Sequence, residues 1–169
     1  MKSISVARLI LILSFSGVSL TSQASIPSQK APDQWLTQDG VVRGGSADNF
    51  MSLYDVRKSA SAKLKTERLI LDWGDAIGQV AKQGGYYQVE YQAKQKRVIV
   101  SLGLTLNSKV EGQVLSQRLS KGLYIKFAKL EFDPTNQTES LVLELKRSVK
   151  VRVQSYDQAP ARLVVDLVE

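Results

Sequence analysis

The chain writes one strand three times. The stretches "TERLILDW" (66–73), "KRVIVSL" (96–102) and "ARLVVDLVE" (161–169) share a cation, an apolar alternation and a small polar or acidic residue. In an extended strand, successive side chains point to opposite faces. Leu69, Leu71 and Trp73 therefore share one face, and Arg68, Ile70 and Asp72 the other. Val98, Val100 and Leu102 stand opposite Arg97, Ile99 and Ser101. Leu163, Val165 and Leu167 stand opposite Arg162, Val164 and Asp166. "SLVLEL" (140–145) keeps the rhythm without the Arg and puts Glu144 in the acidic slot. Each copy predicts a half-buried strand with its apolar face on a core. The copies are unevenly spaced, which excludes a solenoid, because stacked repeats need a fixed period.

On one strand, an Arg and an Asp four residues apart lie roughly 13 Å from each other, too far to pair. They pair only across strands, Arg of one against Asp of its neighbour. The repeated Arg and Asp accordingly read as a register-setting device on the outer face of a sheet. The other reading is a row of arginines that binds a ligand.

Most of the remaining chain has the same period. "FMSLYDVRKS" (50–59) sets Phe50, Ser52, Tyr54 and Val56 against Met51, Leu53 and Asp55. "YYQVEYQ" (86–92) and "KRVIVSLGL" (96–104) flank the polar link "AKQK" as a hairpin. Between 108 and 119 the alternation breaks: Val110, Val114, Leu115 and Leu119 fall at helical spacing, and Gly112 weakens a helix there. A short turn or helix is expected. Residues 121–133, 139–147, 149–155 and 161–167 return to strand patterns, with turns at "PTNQT" and Asp157–Pro160. The expected fold is all-β: a β-sandwich or partly closed barrel of about eight mostly antiparallel strands, with at most one short helix.

The domain is expected over 50–169. Residues 25–49 hold two prolines, a Gly-Gly pair and no period, and read as a flexible leader anchored locally at Trp35 and Leu36. Trp35 is read as a packing contact with its own domain, against a partner-binding role. Residues 1–24 read as a signal peptide: Lys2 and Arg8, an apolar run from Leu9 to Leu20, then Ser22-Gln23-Ala24 as the cleavage site. That run is too short to span a bilayer, so a membrane anchor is the weaker reading and no transmembrane segment is expected after cleavage near Ala24. A periplasmic destination follows.

The chain has no Cys and no His. Disulfides, thiol nucleophiles, Ser-His-Asp triads and most zinc chemistry are excluded. Asp72, Asp75, Glu90, Glu131 and Asp133 remain for carboxylate catalysis, but their spacing sets no two against each other. No catalytic residue, metal or cofactor is expected, and the chain is not read as an enzyme. Without Lys2 and Arg8, 21 basic residues face 16 acidic ones, a net charge of +5. That suits anionic envelope polymers or lipid head groups, or simply a basic soluble surface. Nucleic acid is not an expected partner, since no aromatic-basic ribonucleoprotein motif is present.

"ERLILDWGDAIG", an aromatic strand, "KRVIVSL" and a closing "APARLVVDL" together resemble the AMIN domain. That family is the β-sandwich module in front of bacterial cell-wall amidases and of the secretins of type IV pili. The resemblance covers most of 50–169. It implies a non-catalytic periplasmic targeting and docking unit with peptidoglycan as the usual ligand. "SKVEGQVLSQRLSKG" has no counterpart in the family pattern. The zinc ligands of an amidase have none either, so no catalytic role carries over. Two functions are expected: direct peptidoglycan binding, or docking to an envelope protein complex (pilus secretin, flagellar or secretion) through β-augmentation or the leader.

Candidate binding residues follow from the faces. Tyr87, Val89 and Tyr91 read as core, which leaves Tyr86, Gln88 and Glu90, with Arg97 from the paired strand, as a polar ligand face. Arg68, Asp72, Arg162 and Asp166 form the second candidate group. Lys150 and Arg152 share one face of "VKVRVQS"; they suit phosphate-rich polymers or acidic lipids, or serve as edge-strand cations that discourage sheet association.

Overall fold

A computed structural model describes residues 34–48, 50–106 and 108–169. The signal-peptide reading and the first part of the leader lie outside them. Ten strands and one helix follow one another: β1 (Gln34–Leu36), β2 (Gly40–Gly44), β3 (Met51–Ser61), β4 (Thr66–Asp75), β5 (Tyr87–Gln92), β6 (Arg97–Leu102), α1 (Gly112–Ser120), β7 (Ile125–Asp133), β8 (Thr138–Leu145), β9 (Lys150–Tyr156) and β10 (Arg162–Val168). They form two antiparallel five-stranded sheets, ordered β1-β9-β10-β4-β3 and β2-β5-β6-β8-β7. The sheets do not close on each other, so the fold is a sandwich and not a barrel.

The alternating residues fill the space between the sheets. Leu69, Leu71, Trp73, Val98, Val100, Leu102, Leu163, Val165 and Leu167 are all buried in one cluster. Each such side chain contributes about 1.5–3 kcal/mol by leaving water. A one-residue slip would turn β4 or β10 inside out and is forbidden by that burial. A two-residue slip keeps the apolar face inward, and charge pairing discriminates there. Arg68 lies directly across from Asp166, and Arg162 across from Asp72, on β4 and β10. A slip of two residues would lose both pairs at once.

Three expectations change. Residues 34–44, read as leader, form β1 and β2. Trp35 pairs with Arg152 on β9, and Val42 pairs with Val89 on β5. The two strands are short, and Gly40 and Gly44 obscure their period, but a three-residue turn lets the chain cross from one sheet to the other and cover that edge of the sandwich. The simple alternation of β3 fails at a bulge between Leu53 and Asp55. The extra residue puts Leu53 and Val56 on the same core, so Val56 does not share a face with Ser52 and Tyr54. The 108–119 stretch resolves into helix α1, and Gly112 is its first residue, where its entropy penalty is small. Leu115 and Leu119 are buried, while Val114 is exposed.

Helix α1 covers the other edge of the sandwich. Lys58 of β3 donates to the Arg118 and Leu119 carbonyls at 2.8 and 3.3 Å, and Arg118 donates to the Val56 carbonyl at 2.8 Å. Beneath it, Glu67 turns inward from β4 and is fully buried. Its Oε2 accepts the Tyr124 and Ile125 amides at 2.6 and 3.3 Å, which fixes the start of β7. Gly122 is required here, since a Cβ would fall 1.9 Å from Glu67 Oε1.

Candidate functional site

The outer face of the β1-β9-β10-β4-β3 sheet carries two charged rows. Cross-strand register aligns Trp35, Arg152, Asp166, Arg68 and Ser59 in the first. It aligns Tyr156, Arg162, Asp72 and Asp55 in the second. In the first row, Arg68 grips Asp166 with two hydrogen bonds, Nε to Oδ1 at 2.6 Å and Nη2 to Oδ2 at 2.9 Å. In the second, Arg57 reaches diagonally to Asp72 in the same two-pronged way, at 2.7 and 2.8 Å. Arg162 Nε stands 3.5 Å from the same carboxylate. Val164 and Ile70 separate the rows.

Both carboxylates are buried beneath half-exposed guanidinium groups. Hydrogen bonding to Asp72 raises the Arg57 pKa, and hydrogen bonding to Asp166 raises that of Arg68, each against the cost of desolvation. Arg57 and Arg68 are thus held as cations in a set orientation. With the guanidinium side open to water the Coulomb gain is screened, and desolvation of the buried carboxylate offsets part of it, so these pairs specify register and surface chemistry more than they stabilise.

At one end, the first row opens into a groove of about 410 Å³. Trp35 and Arg152 form one wall, Ser59, Ser61 and Leu64 the other, and Arg68, Asp166 and Val168 lie beneath. The Trp35 ring is 46% exposed, and the Arg152 guanidinium lies 5.4 Å from its centre. Cation–π contact orients that ring. An aromatic wall over a floor of oriented hydrogen-bonding groups can hold a ligand with an apolar face and a polar rim.

The structure divides the sequence-predicted residues between two outer faces. Arg68, Asp72, Arg152, Arg162 and Asp166 come together on one sheet, with Lys150 on the same face across from Val168. Of these, Arg68, Arg152 and Asp166 line the groove. Gln88, Glu90 and Arg97 lie on the other sheet. Tyr86 and Arg97 do not form one site: Tyr87 pairs with Leu102 and Gln92 with Arg97, which puts the two at opposite ends of the hairpin, roughly 20 Å apart. Tyr86 packs against Gly103, where a Cβ would stand 3.0 Å from its ring. Gln88 accepts from Arg43 of β2 at 2.8 Å, Glu90 accepts from Gln92 at 2.6 Å, and Arg97 lies 4.0 Å from Glu144. Lys150 and Arg152 are not on an edge strand, because β9 lies between β10 and β1.

Sequence reasoning missed Trp35 and Arg57 as members of this face. Arg57 lies past the β3 bulge, which shifts its phase. Trp35 carried a signal, a large aromatic in a polar stretch, without showing which strand it joins. Among the described residues, no group of three or more carboxylates is placed to hold a metal ion, and no helix is long and apolar enough to cross a membrane. No family model and no curated protein matches the chain.

Proposed function

We propose that this chain is a non-catalytic binding module of the bacterial cell envelope, exported to the periplasm, and that it holds peptidoglycan glycan in the groove between Trp35 and Leu64. The single observation that supports this reading is that half-exposed Trp35 lines the same groove as the Arg68–Asp166 pair. A sugar ring has an apolar face for the indole and equatorial hydroxyls for charged partners. The AMIN-like rhythm of β4, β6 and β10 points the same way. An envelope role also accords with the basic balance of the chain, although charge alone names no ligand.

The test is co-sedimentation of the chain from residue 25 onward with purified peptidoglycan sacculi at low and high salt. Binding is expected to survive high salt, because stacking is not screened. Trp35→Ala is expected to weaken it about tenfold, the size of one lost stacking contact. Binding that vanishes in salt and is unchanged in Trp35→Ala would reduce the interaction to non-specific charge. No binding at either salt would remove the glycan reading.

A second reading, docking to an envelope protein complex, draws on the tip of the turn after β4. There Ile77 is 77% exposed and Val80 45% exposed. Crosslinking from Ile77 in cells, read beside the co-sedimentation, separates it from the first reading: a protein adduct from a chain that does not co-sediment with sacculi supports docking.

A further inference from the structure

The end of the sandwich away from the Trp35 groove holds a second, unrelated feature. Glu139 opens β8 in phase with Leu141, Leu143 and Leu145, so its side chain points between the sheets. It is 4% exposed, and its Oε2 has no hydrogen-bond partner among the described residues. The carboxylate borders a cleft of about 260 Å³ lined by Thr105, Leu106, Ser108, Val110 and Phe132. Burial lifts its pKa to about 7. A hydrogen bond from the Ser108 hydroxyl lowers it in part, and the Leu53 carbonyl, 3.2 Å from the same hydroxyl, competes for that proton.

Among the described residues, acceptors outnumber donors in the cleft. Thr105 gives its hydroxyl proton to the Leu102 carbonyl at 2.9 Å. The Thr105 hydroxyl therefore offers lone pairs, as does an ionised Glu139; the Ser108 oxygen, whose proton is shared between Leu53 and Glu139, offers a lone pair beside them. An ammonium group has three donors and no acceptor, which is the complement of this set. A carboxylate or phosphate would meet the Glu139 charge and mostly lone pairs. A metal ion would need more charged ligands than one carboxylate. Leu106, Val110 and the half-exposed Phe132 supply an apolar wall for an alkyl stem. The volume is below the roughly 300–1,000 Å³ of ordinary small-molecule sites, and suits one side chain.

We propose that the Glu139 cleft is a binding site for a primary alkylammonium group, held by the buried carboxylate and the Thr105 and Ser108 hydroxyl oxygens with its stem against Phe132. This site is independent of the groove reading above. The group can come from a free amine or from a lysine side chain on a peptide.

The experiment is an NMR titration of the purified protein with n-butylammonium, and in parallel with an acetylated, amidated lysine. Saturable shifts of Thr105, Leu106, Ser108, Val110 and Glu139 are expected at pH 8. Of the described residues lining the cleft, only Glu139 titrates, so proton competition should weaken binding about tenfold at pH 6. Tetramethylammonium, which has no N–H, should not compete. Glu139→Gln should abolish binding, and Val110→Phe, which fills the cleft and leaves the carboxylate, should do the same. If butylammonium saturates and the lysine does not, the source is a small amine; the reverse names a peptide. No saturation at pH 8, retained binding in Glu139→Gln, or equal competition by tetramethylammonium would overturn the proposal.

Discussion

Two glutamates sit at the two ends of this sandwich in the same sequence setting and live in opposite chemical circumstances. Glu67 opens β4 in phase with Leu69, Leu71 and Trp73; Glu139 opens β8 in phase with Leu141, Leu143 and Leu145. Both turn inward and both are buried. Glu67 receives two backbone amides at Oε2, and its Oε1, without a hydrogen bond among the described residues, has the Lys58 ammonium 4.0 Å away. Glu139 has only a share of the Ser108 proton, which the Leu53 carbonyl also draws, and a cleft open to solvent. A buried carboxylate is tolerated only when donors or a counter-charge offset its desolvation, or when it keeps its proton. Glu67 takes the first course and Glu139 the second. The first makes a structural joint, and the second leaves chemistry available to a ligand.

The largest expected effect breaks the joint. Glu67→Ala strips the acceptor from the Tyr124 and Ile125 amides and leaves Lys58 without its carboxylate. A loss of about 3–5 kcal/mol is expected, measured by urea unfolding. Glu67→Gln keeps one acceptor oxygen and should lose less. Equal losses would mean that the charge, and not the acceptor, holds β7 in place.

Glu139 should behave in the opposite sense. Its carboxyl is pushed up to about 7 in the folded protein from an ordinary value of 4.5. The folded state therefore holds this proton more tightly than the unfolded state. Its contribution to stability is fully present below about pH 4.5, and falls away as the pH rises towards 7. Glu139→Gln should match the parent at pH 4.5 and exceed it at pH 8 by up to about 3 kcal/mol. The quantity to measure is the difference in unfolding free energy between the two proteins across that range, which cancels the other carboxylates. A flat difference would show that Glu139 finds its donors within the protein.

The difference between the two ends lies outside what the strand pattern carries. Alternation reveals the core face of each strand, and hence the sandwich, because burial of Leu and Val outweighs every other term. It also reveals the Arg–Asp register, since same-strand pairing is sterically excluded. The phase of Glu67 and Glu139 with their leucines was legible too, as an inward-facing acid at the start of a strand. Their partners were not. The Tyr124 and Ile125 amides lie far along the chain from Glu67, and nothing local to "ERLILDW" names them. The groove was half legible: Arg68, Asp166 and Arg152 follow from the faces, whereas the placing of Trp35 depends on β1, whose three residues are too few to show a period. The bulge at Tyr54 defeated alternation in β3 and hid Arg57, because an inserted residue reverses phase without changing composition.

The smallest expected effect asks what Lys58 does for the structural end. Its ammonium caps the last carbonyls of α1 and stands near Glu67, so two roles coincide in one side chain. Lys58→Met keeps the stem packed and removes only the charge. If capping is the main role, the loss should be about 1 kcal/mol, the usual worth of a cation at a helix C-terminus, and should be independent of residue 67. Neutralising Glu67 as well, in Lys58→Met with Glu67→Gln, then gives additive losses in urea unfolding. If Lys58 instead offsets the buried charge, the second substitution should cost much less once the first is made. That coupling would show that the structural end needs a resident ammonium beside its carboxylate, the same pairing that the Glu139 end would receive from outside.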